Sequence, residues 1–444
     1  MLFVLCGAIF LEGINVAMLN VALPAIRAEL GLSTGELQWV ISAYVLGYGG
    51  FMLVGGRAAD LFGRRRMFLV WLGVFLVVSA LGGVADSGGM LIAARFVAGV
   101  AAAVMTPAGL SIITTSFEEG PQRNQALLVY SGTAAGGFSL GLVLGGLLAE
   151  VNWRLVLFVP AVLALVILVL AVRLIPTTPA EQATDRRVDV PGAVTITGAI
   201  MLLVLGIERA AHVSAGLTAA ILLAGLALLV LFVLIERKSP APLLRLGILR
   251  SGSLVRANLA GLLFAAAFFG FQFIAVLYLQ ELRGWSSMQT SLAMLAIGAD
   301  AILAPTLTPR LVTRFGNAKV ILGGLLLAVL SYVLFLPIGT DTVYLAMFPT
   351  MLILGLSFAL AYGPLTIVAT EGVDESEQGL AGGLLYTSFQ FGAALGLAAS
   401  TAVIVAAGEG DPLGAYRAAL SVPIVAAVLA AAFSAYGLRK ESLR

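Results

Sequence analysis

Fourteen apolar runs, each long enough to cross a bilayer as a helix, decide what this chain can become. They lie at roughly 2–24, 39–56, 67–85, 90–114, 125–148, 155–175, 190–207, 215–235, 257–280, 287–307, 319–338, 343–368, 379–407 and 416–437. About 20 apolar residues suffice to span the hydrocarbon core. A soluble domain carries about 25% charged residues; this chain carries 11% and is 60% hydrophobic. A transmembrane barrel would show alternating segments of about 10 residues, and none is visible. The expected fold class is an all-α polytopic membrane protein.

An even number of spans puts both termini on one side, and the basic residues say which. If the loop around "GRRR" (63–66) is cytoplasmic, the same side holds Arg123, Arg173, Arg186, Arg187, Arg237, Lys238, Arg245, Arg250, Arg256, Arg310, Arg314, Lys319 and the tail "LRKESLR". Opposite fall Arg27, Arg154, Arg209, Arg283 and Arg417. The positive-inside rule then predicts cytoplasmic termini in a cell-membrane protein. The run from Leu2 has no basic region before it and continues to Pro24, so it reads as a retained first span rather than a cleaved signal.

Two stretches rich in Pro and charge, 176–188 and 236–252, read as cytoplasmic linkers. They divide the chain into six spans (1–175), two spans (176–252) and six spans (253–444). "GGRAADLFGRRRM" after span two and "TPRLVTRFGNAKV" after span ten echo one another, which suggests duplication. Transporters built from repeated six-span halves place the substrate site between the halves.

Other chemistries find little footing. Cys6 is the single cysteine and the single histidine, His212, falls in an expected outer loop, so neither a disulfide nor a metal cluster is expected. No G-x-x-x-x-G-K-[ST] cradle argues for ATP coupling. An enzyme, a cofactor and a nucleic-acid partner are therefore not expected, and nothing requires more than a monomer.

A charge at the bilayer centre costs at least ~2.5–3.5 kcal/mol on insertion scales, so intramembrane charges are functional candidates. These are Glu12 midway along span one, Arg95 in span four and Asp300 midway along span ten. Glu12 reads either as a structural hydrogen-bonding group or as a protonatable carboxylate; Asp300 would take a proton or a cationic substrate. Tyr44, Tyr362, Tyr386, Gln272 and Gln390 are candidate cavity residues, because a polar group facing lipid costs free energy. Isolated Phe residues such as Phe268 and Phe271 are expected to face lipid. Gly137, Gly141 and Gly145 recur every fourth residue and permit close helix approach. In the loop 55–68, Gly56 and Gly63 allow a tight turn, and Asp60 is placed to pair with Arg64 or with a neighbouring span. An exposed pair there is worth about 0–1 kcal/mol, whereas one at a half-buried contact between the halves would act as a conformational latch.

"GGRAADLFGRRRMF" resembles the signature between spans two and three of the major facilitator superfamily. Gly56, Asp60, Gly63, Arg64 and Arg65 fall on its defining positions, and Ala58 replaces the usual leucine. With fourteen spans, the chain resembles that superfamily's drug–proton antiporter branch over essentially its whole length. "LNVALPAI" (19–26), "LIAARFVAGVAAA" around Arg95 and Gly99, and "NWRLVLFVP" are similar to further elements of the branch. "GGFSLGLVLGG" resembles its antiporter motif through Gly137, Gly141, Gly145 and Gly146, with Leu142 in place of proline. Where the branch carries a span-one aspartate this chain has Asn15, with Glu12 three residues earlier on nearly the same face; Phe389 stands where an arginine is common. The resemblance implies two six-helix bundles plus two extra helices. It also implies export of lipophilic small molecules or drugs, including cationic ones, in exchange for protons by alternating access, Arg95 partnering Glu12, and a glycine row packed across the interface between halves. Asn15 joins the candidate substrate residues. Facilitated or metabolite export without strict proton coupling stays open.

Overall fold

The computed structural model of the chain describes residues 1–32, 34–176, 189–209, 213–239, 242, 247–248, 251–374, 378–407 and 410–441. His212, Arg186, Arg187, Arg245 and Arg250 lie outside the described residues. Every regular element among those described is helical, as lipid requires of a chain that must satisfy its backbone within each segment.

The helices are α1 (Leu2–Leu30), α2 (Thr34–Phe62), α3 (Arg64–Gly83), α4 (Gly88–Ser116), α5 (Pro121–Val151), α6 (Leu155–Leu174), α7 (Val190–Arg209), α8 (Ala215–Glu236) and α9 (Gly252–Leu277). They continue with α10 (Ser287–Met294), α11 (Asp300–Thr306), α12 (Thr308–Phe315), α13 (Asn317–Phe335), α14 (Tyr344–Thr370), α15 (Gln378–Ala407), α16 (Pro412–Ala419) and α17 (Ser421–Glu441). Span ten is broken: a tighter 3-10 turn, Leu295–Ala299, joins α10 to α11. Among the described residues 14 stretches are long and apolar enough to cross a membrane, matching the apolar runs one for one.

Two six-span sets share a packing plan. In the first, α1 packs on α5 and α2 on α4; in the second, α9 packs on α15 and the span-ten turn on α14. Glycines seat all four pairs: a Cβ on Gly137 would strike the Phe10 carbonyl, on Gly99 the Tyr44 carbonyl, on Gly396 the Ala266 carbonyl and on Gly355 the Ile297 carbonyl. The sequence echo is likewise one turn built twice. Gly63 (φ 95°) and Gly316 (φ 81°) each follow a phenylalanine and each open the next helix, α3 and α13, in a backbone region that favours glycine.

This packing corrects one expectation. Gly137, Gly141 and Gly145 face Phe10, Ile14 and Met18 of α1 inside their own set, not the other half. A glycine row marks a close neighbour without naming it. The sets instead meet along two seams, α2 with α15 and α5 with span ten and α14. Helix α7 lies against both α2 and α15, while α8 rests on α7. Gly49 and Gly50 of α2 receive Thr197, Ile200, Met201 and Val204 of α7.

The end remote from "GRRR" is pinned by polar clasps. Glu29 at the end of α1 accepts from Trp153 Nε1 at 2.7 Å and from Arg154, whose other nitrogen reaches the Ala85 carbonyl at 3.0 Å. In the second set, Tyr278 donates to the Gly339 carbonyl at 2.6 Å and Tyr416 to Glu281 at 3.0 Å.

Candidate functional site

Where α1, α2 and α4 converge, the first set buries its charges. Glu12 is 9% exposed and Arg95 4%. The Thr106 hydroxyl of α4 donates to Glu12 Oε2 at 2.6 Å, and the Tyr48 hydroxyl of α2 also bonds to this carboxyl. One turn along α1, Arg95 Nη1 donates to Asn15 Oδ1 at 3.1 Å, and its guanidinium lies 4.4 Å from the centre of the Tyr44 ring. That face-on placement is a cation–π contact. The expected α1–α4 contact is therefore present, but Arg95 is engaged by Asn15 and Tyr44 rather than by Glu12. An amide and a ring occupy the cation, and hydroxyls surround the acid.

The second set turns aromatic rings inward. Phe268 and Phe358 have ring centres 4.6 Å apart, and Tyr362 sits 5.0 Å from both Phe358 and Phe389. Phe268 and Phe271 are buried, not lipid-facing. Phe264 and Phe268, four residues apart on α9, reach Phe358 of α14 and Phe389 of α15, a pattern that isolated inspection of each residue misses. Phe389, in place of an arginine, belongs to this cluster.

Tyr362 and Tyr386 are both buried, and their hydroxyls lie together with that of Tyr130 on α5. Gln272 and Gln390 are half-buried. Asp300 is 3% exposed at the start of α11, in the segment that packs on α5, so the structure puts it in the opposite set from Glu12. Thr106, Tyr48 and Tyr130 were not singled out from the sequence. The available signal was a polar group inside an apolar span, and Thr106 sits beside the intrahelical Pro107.

The model described as Major Facilitator Superfamily matches residues 5–397 and 301–441. The chain belongs to the major facilitator superfamily. Curated relatives include the puromycin resistance protein pur8 of Streptomyces alboniger, 36% identical over 89% of this chain and 80% of the relative. The cephamycin export protein CmcT of Amycolatopsis lactamdurans is 35% identical over 92% of this chain and 85% of the relative. Among solved structures, the human organic anion transporter MFSD10 matches with TM-score 0.71 and 16% identity, covering 98% of each chain; that likeness speaks for the fold. This is accordingly a multi-pass membrane transporter whose relatives include antibiotic resistance and export proteins.

The superfamily loop at 55–68 now has a geometry. Asp60 Oδ1 accepts from Arg64 Nε at 3.2 Å and from the Ser111 hydroxyl of α4 at 3.4 Å. Arg65 donates to the Ile175 and Val172 carbonyls at 2.8 and 2.9 Å, satisfying the end of α6. These bonds of Asp60 and Arg65 stay within the first set, whereas a latch between halves was expected. At the same end, a cleft of about 710 Å³ opens between the sets. Asn124, Gln125 and Leu128 of α5 face Val312, Thr313 and Phe315 of α12 across it.

Proposed function

We propose that the protein exports lipophilic small molecules of the antibiotic or drug class, cationic ones included, in exchange for protons. The six-span units 1–175 and 253–444 rock about a midplane site, carrying the spans in 176–252 with them, in a monomer of the cell membrane with both termini cytoplasmic. One observation carries the reading: Glu12 is a buried carboxyl held by hydroxyls, with Arg95 turned to other partners. Burial opposes the charged form and hydroxyl donors favour it, so local rearrangement can change its charge. The aromatic shelf of Phe268, Phe358, Tyr362 and Phe389 supplies apolar surface for a lipophilic guest. Tyr44, Asn15, Tyr386, Gln272 and Gln390 supply polar anchors, with Asp300 a second candidate acid. The names of relatives that resist puromycin or export cephamycin support the substrate class.

Asn15 in the place of an acid favours a second reading, facilitated export without strict proton coupling. The test is efflux of ethidium from proteoliposomes under an imposed pH gradient. The gradient is expected to drive wild-type transport, and Glu12→Gln to abolish that drive while Asp300→Asn has a smaller effect. Equal transport with and without a gradient would establish the facilitator instead.

A further inference from the structure

The hydroxyls around Glu12 belong to the first set, and they meet a second group of hydroxyls across the interface. Tyr130 reaches the carbonyl of Thr106 at 3.5 Å, and the side chain of the same threonine donates to Glu12 at 2.6 Å. The Tyr130 hydroxyl also lies beside that of Tyr386 on α15, which in turn lies beside that of Tyr362 on α14. Although these hydroxyls are close, Tyr386 Oη is buried without a well-aligned hydrogen bond among the described residues, as is Ser131 Oγ next to Tyr130.

The two sets touch closely at this level. A Cβ on Gly363, beside Tyr362, would come 2.6 Å from Leu128 and 3.7 Å from Ser131 of α5. A Cβ on Gly382, one turn before Tyr386, would come 2.5 Å from Leu110 of α4, and one on Gly383 would come 3.1 Å from the Met52 carbonyl of α2. Leu128 is 1% exposed and also lines the cleft. The tyrosines therefore form part of the closed floor between the cleft and Glu12.

We infer that Tyr130 and Tyr386 form a hydroxyl bridge across the interface that holds this floor shut, joined to Glu12 through Thr106 and Tyr48. This rests on the proton-coupled reading of Glu12 and extends it to the gate that the acid controls. An ionised carboxyl only accepts, so Thr106 and Tyr48 must donate to it; a protonated one donates as well and frees those hydroxyls to turn elsewhere. The Thr106 carbonyl that Tyr130 meets only accepts, so the reversal reaches the tyrosines through Tyr48, whose hydroxyl meets Glu12 and Thr106 and lies near Tyr386. The under-bonded Tyr386 has capacity to receive it. The ionisable groups around this chain are Arg95 on α4, Tyr44 and Tyr48 on α2, Cys6 on α1 and Tyr130 on α5. Tyr362 and Tyr386 face it from α14 and α15.

The test needs no substrate. Cys6, the sole cysteine, is replaced by Ala, and Leu128→Cys reports opening of the floor through its labelling rate with a membrane-impermeant maleimide in nanodiscs. Dividing by the rate at exposed Gln125→Cys removes the thiol's own pH dependence, and Ser131→Cys serves as a second reporter. Between about pH 5.5 and about pH 8, the parent's normalised rate is expected to change about tenfold. With Glu12→Gln, and separately with Tyr130→Phe or Tyr386→Phe, it should change less than about twofold. Each tyrosine variant tests the bridge alone, so either one that remains monodisperse suffices. If Glu12→Gln flattens the response while the tyrosine variants keep the parent's, the bridge is overturned and the role of Glu12 stands. If the parent shows no response, or Glu12→Gln retains it, the reading of Glu12 fails and the bridge falls with it.

Discussion

In the first six-span set the inner helices α1 and α4 meet through Glu12, Thr106, Asn15 and Arg95. In the second, α9 and α14 meet through Phe264, Phe268 and Phe358. The backbones are arranged alike, with a glycine at each tight crossing, yet one interior is built for charge and the other for rings. Two scaffolds packed alike thus carry different interiors. The first set buries an acid and a base near one another, where hydroxyls, an amide and a tyrosine ring compensate the cost. In the second set the buried acid Asp300 lies on the broken span rather than among the rings. The ring cluster of Phe264, Phe268, Phe358 and Phe389 presents a surface without hydrogen-bonding demands of its own.

That division is open to attack from both sides. The largest effect is expected from Arg95→Ala, which orphans Asn15 Oδ1 and strips the cation from Tyr44. Gradient-driven efflux in proteoliposomes should fall about a hundredfold, and a loss below about threefold would show that the first set's charge is not central. Phe358→Ala should act differently. Losing its contacts with Phe268 and Tyr362 is expected to weaken the apparent affinity for aromatic probes by about three- to tenfold, with the proton-to-substrate ratio unchanged. A changed ratio would mean that the ring-lined set also handles the proton.

The smallest effect lies far from both interiors. Arg154 and then Trp153, by hydrogen bonding, hold the Glu29 carboxyl below its ordinary value. The folded state therefore favours the carboxylate. The stabilisation is present above the ordinary glutamate pKa and is lost as pH falls through the lowered folded-state value. Thermal unfolding in detergent should show this slight acid-side loss in wild type and not in Glu29→Gln, with transport unchanged at neutral pH.

Much of the fold could be read from the chain because apolar length alone specifies a span: all fourteen runs correspond to helices, and the Phe-Gly echo at 62–63 and 315–316 corresponds to a repeated turn. The site was only half legible. Glu12, Arg95, Tyr44, Tyr362 and Tyr386 stand out as polar groups in apolar spans and are all buried in the structure. Their partners were not readable. A helix that is apolar all round gives no sign of which face meets which neighbour, so the sequence pairs Arg95 with Glu12 where the structure has Asn15, and sets the glycine row at the interface between halves where the structure has α1. Thr106, Tyr48 and Tyr130 matter through their neighbours rather than their identity, and neighbours are a tertiary property.

Helix α7 touches one helix of each set, and where it meets Gly49 and Gly50 of α2 the atoms in reach are a methyl group, two branched alkyl chains and a thioether. A surface of that kind has no donor or acceptor to strand when it is displaced. It behaves as a greased bearing: adhesive enough to stay seated, smooth enough to be slid across. The hairpin can therefore ride along a moving joint and keep lipid out of it without adding a brake to the turnover of the machine.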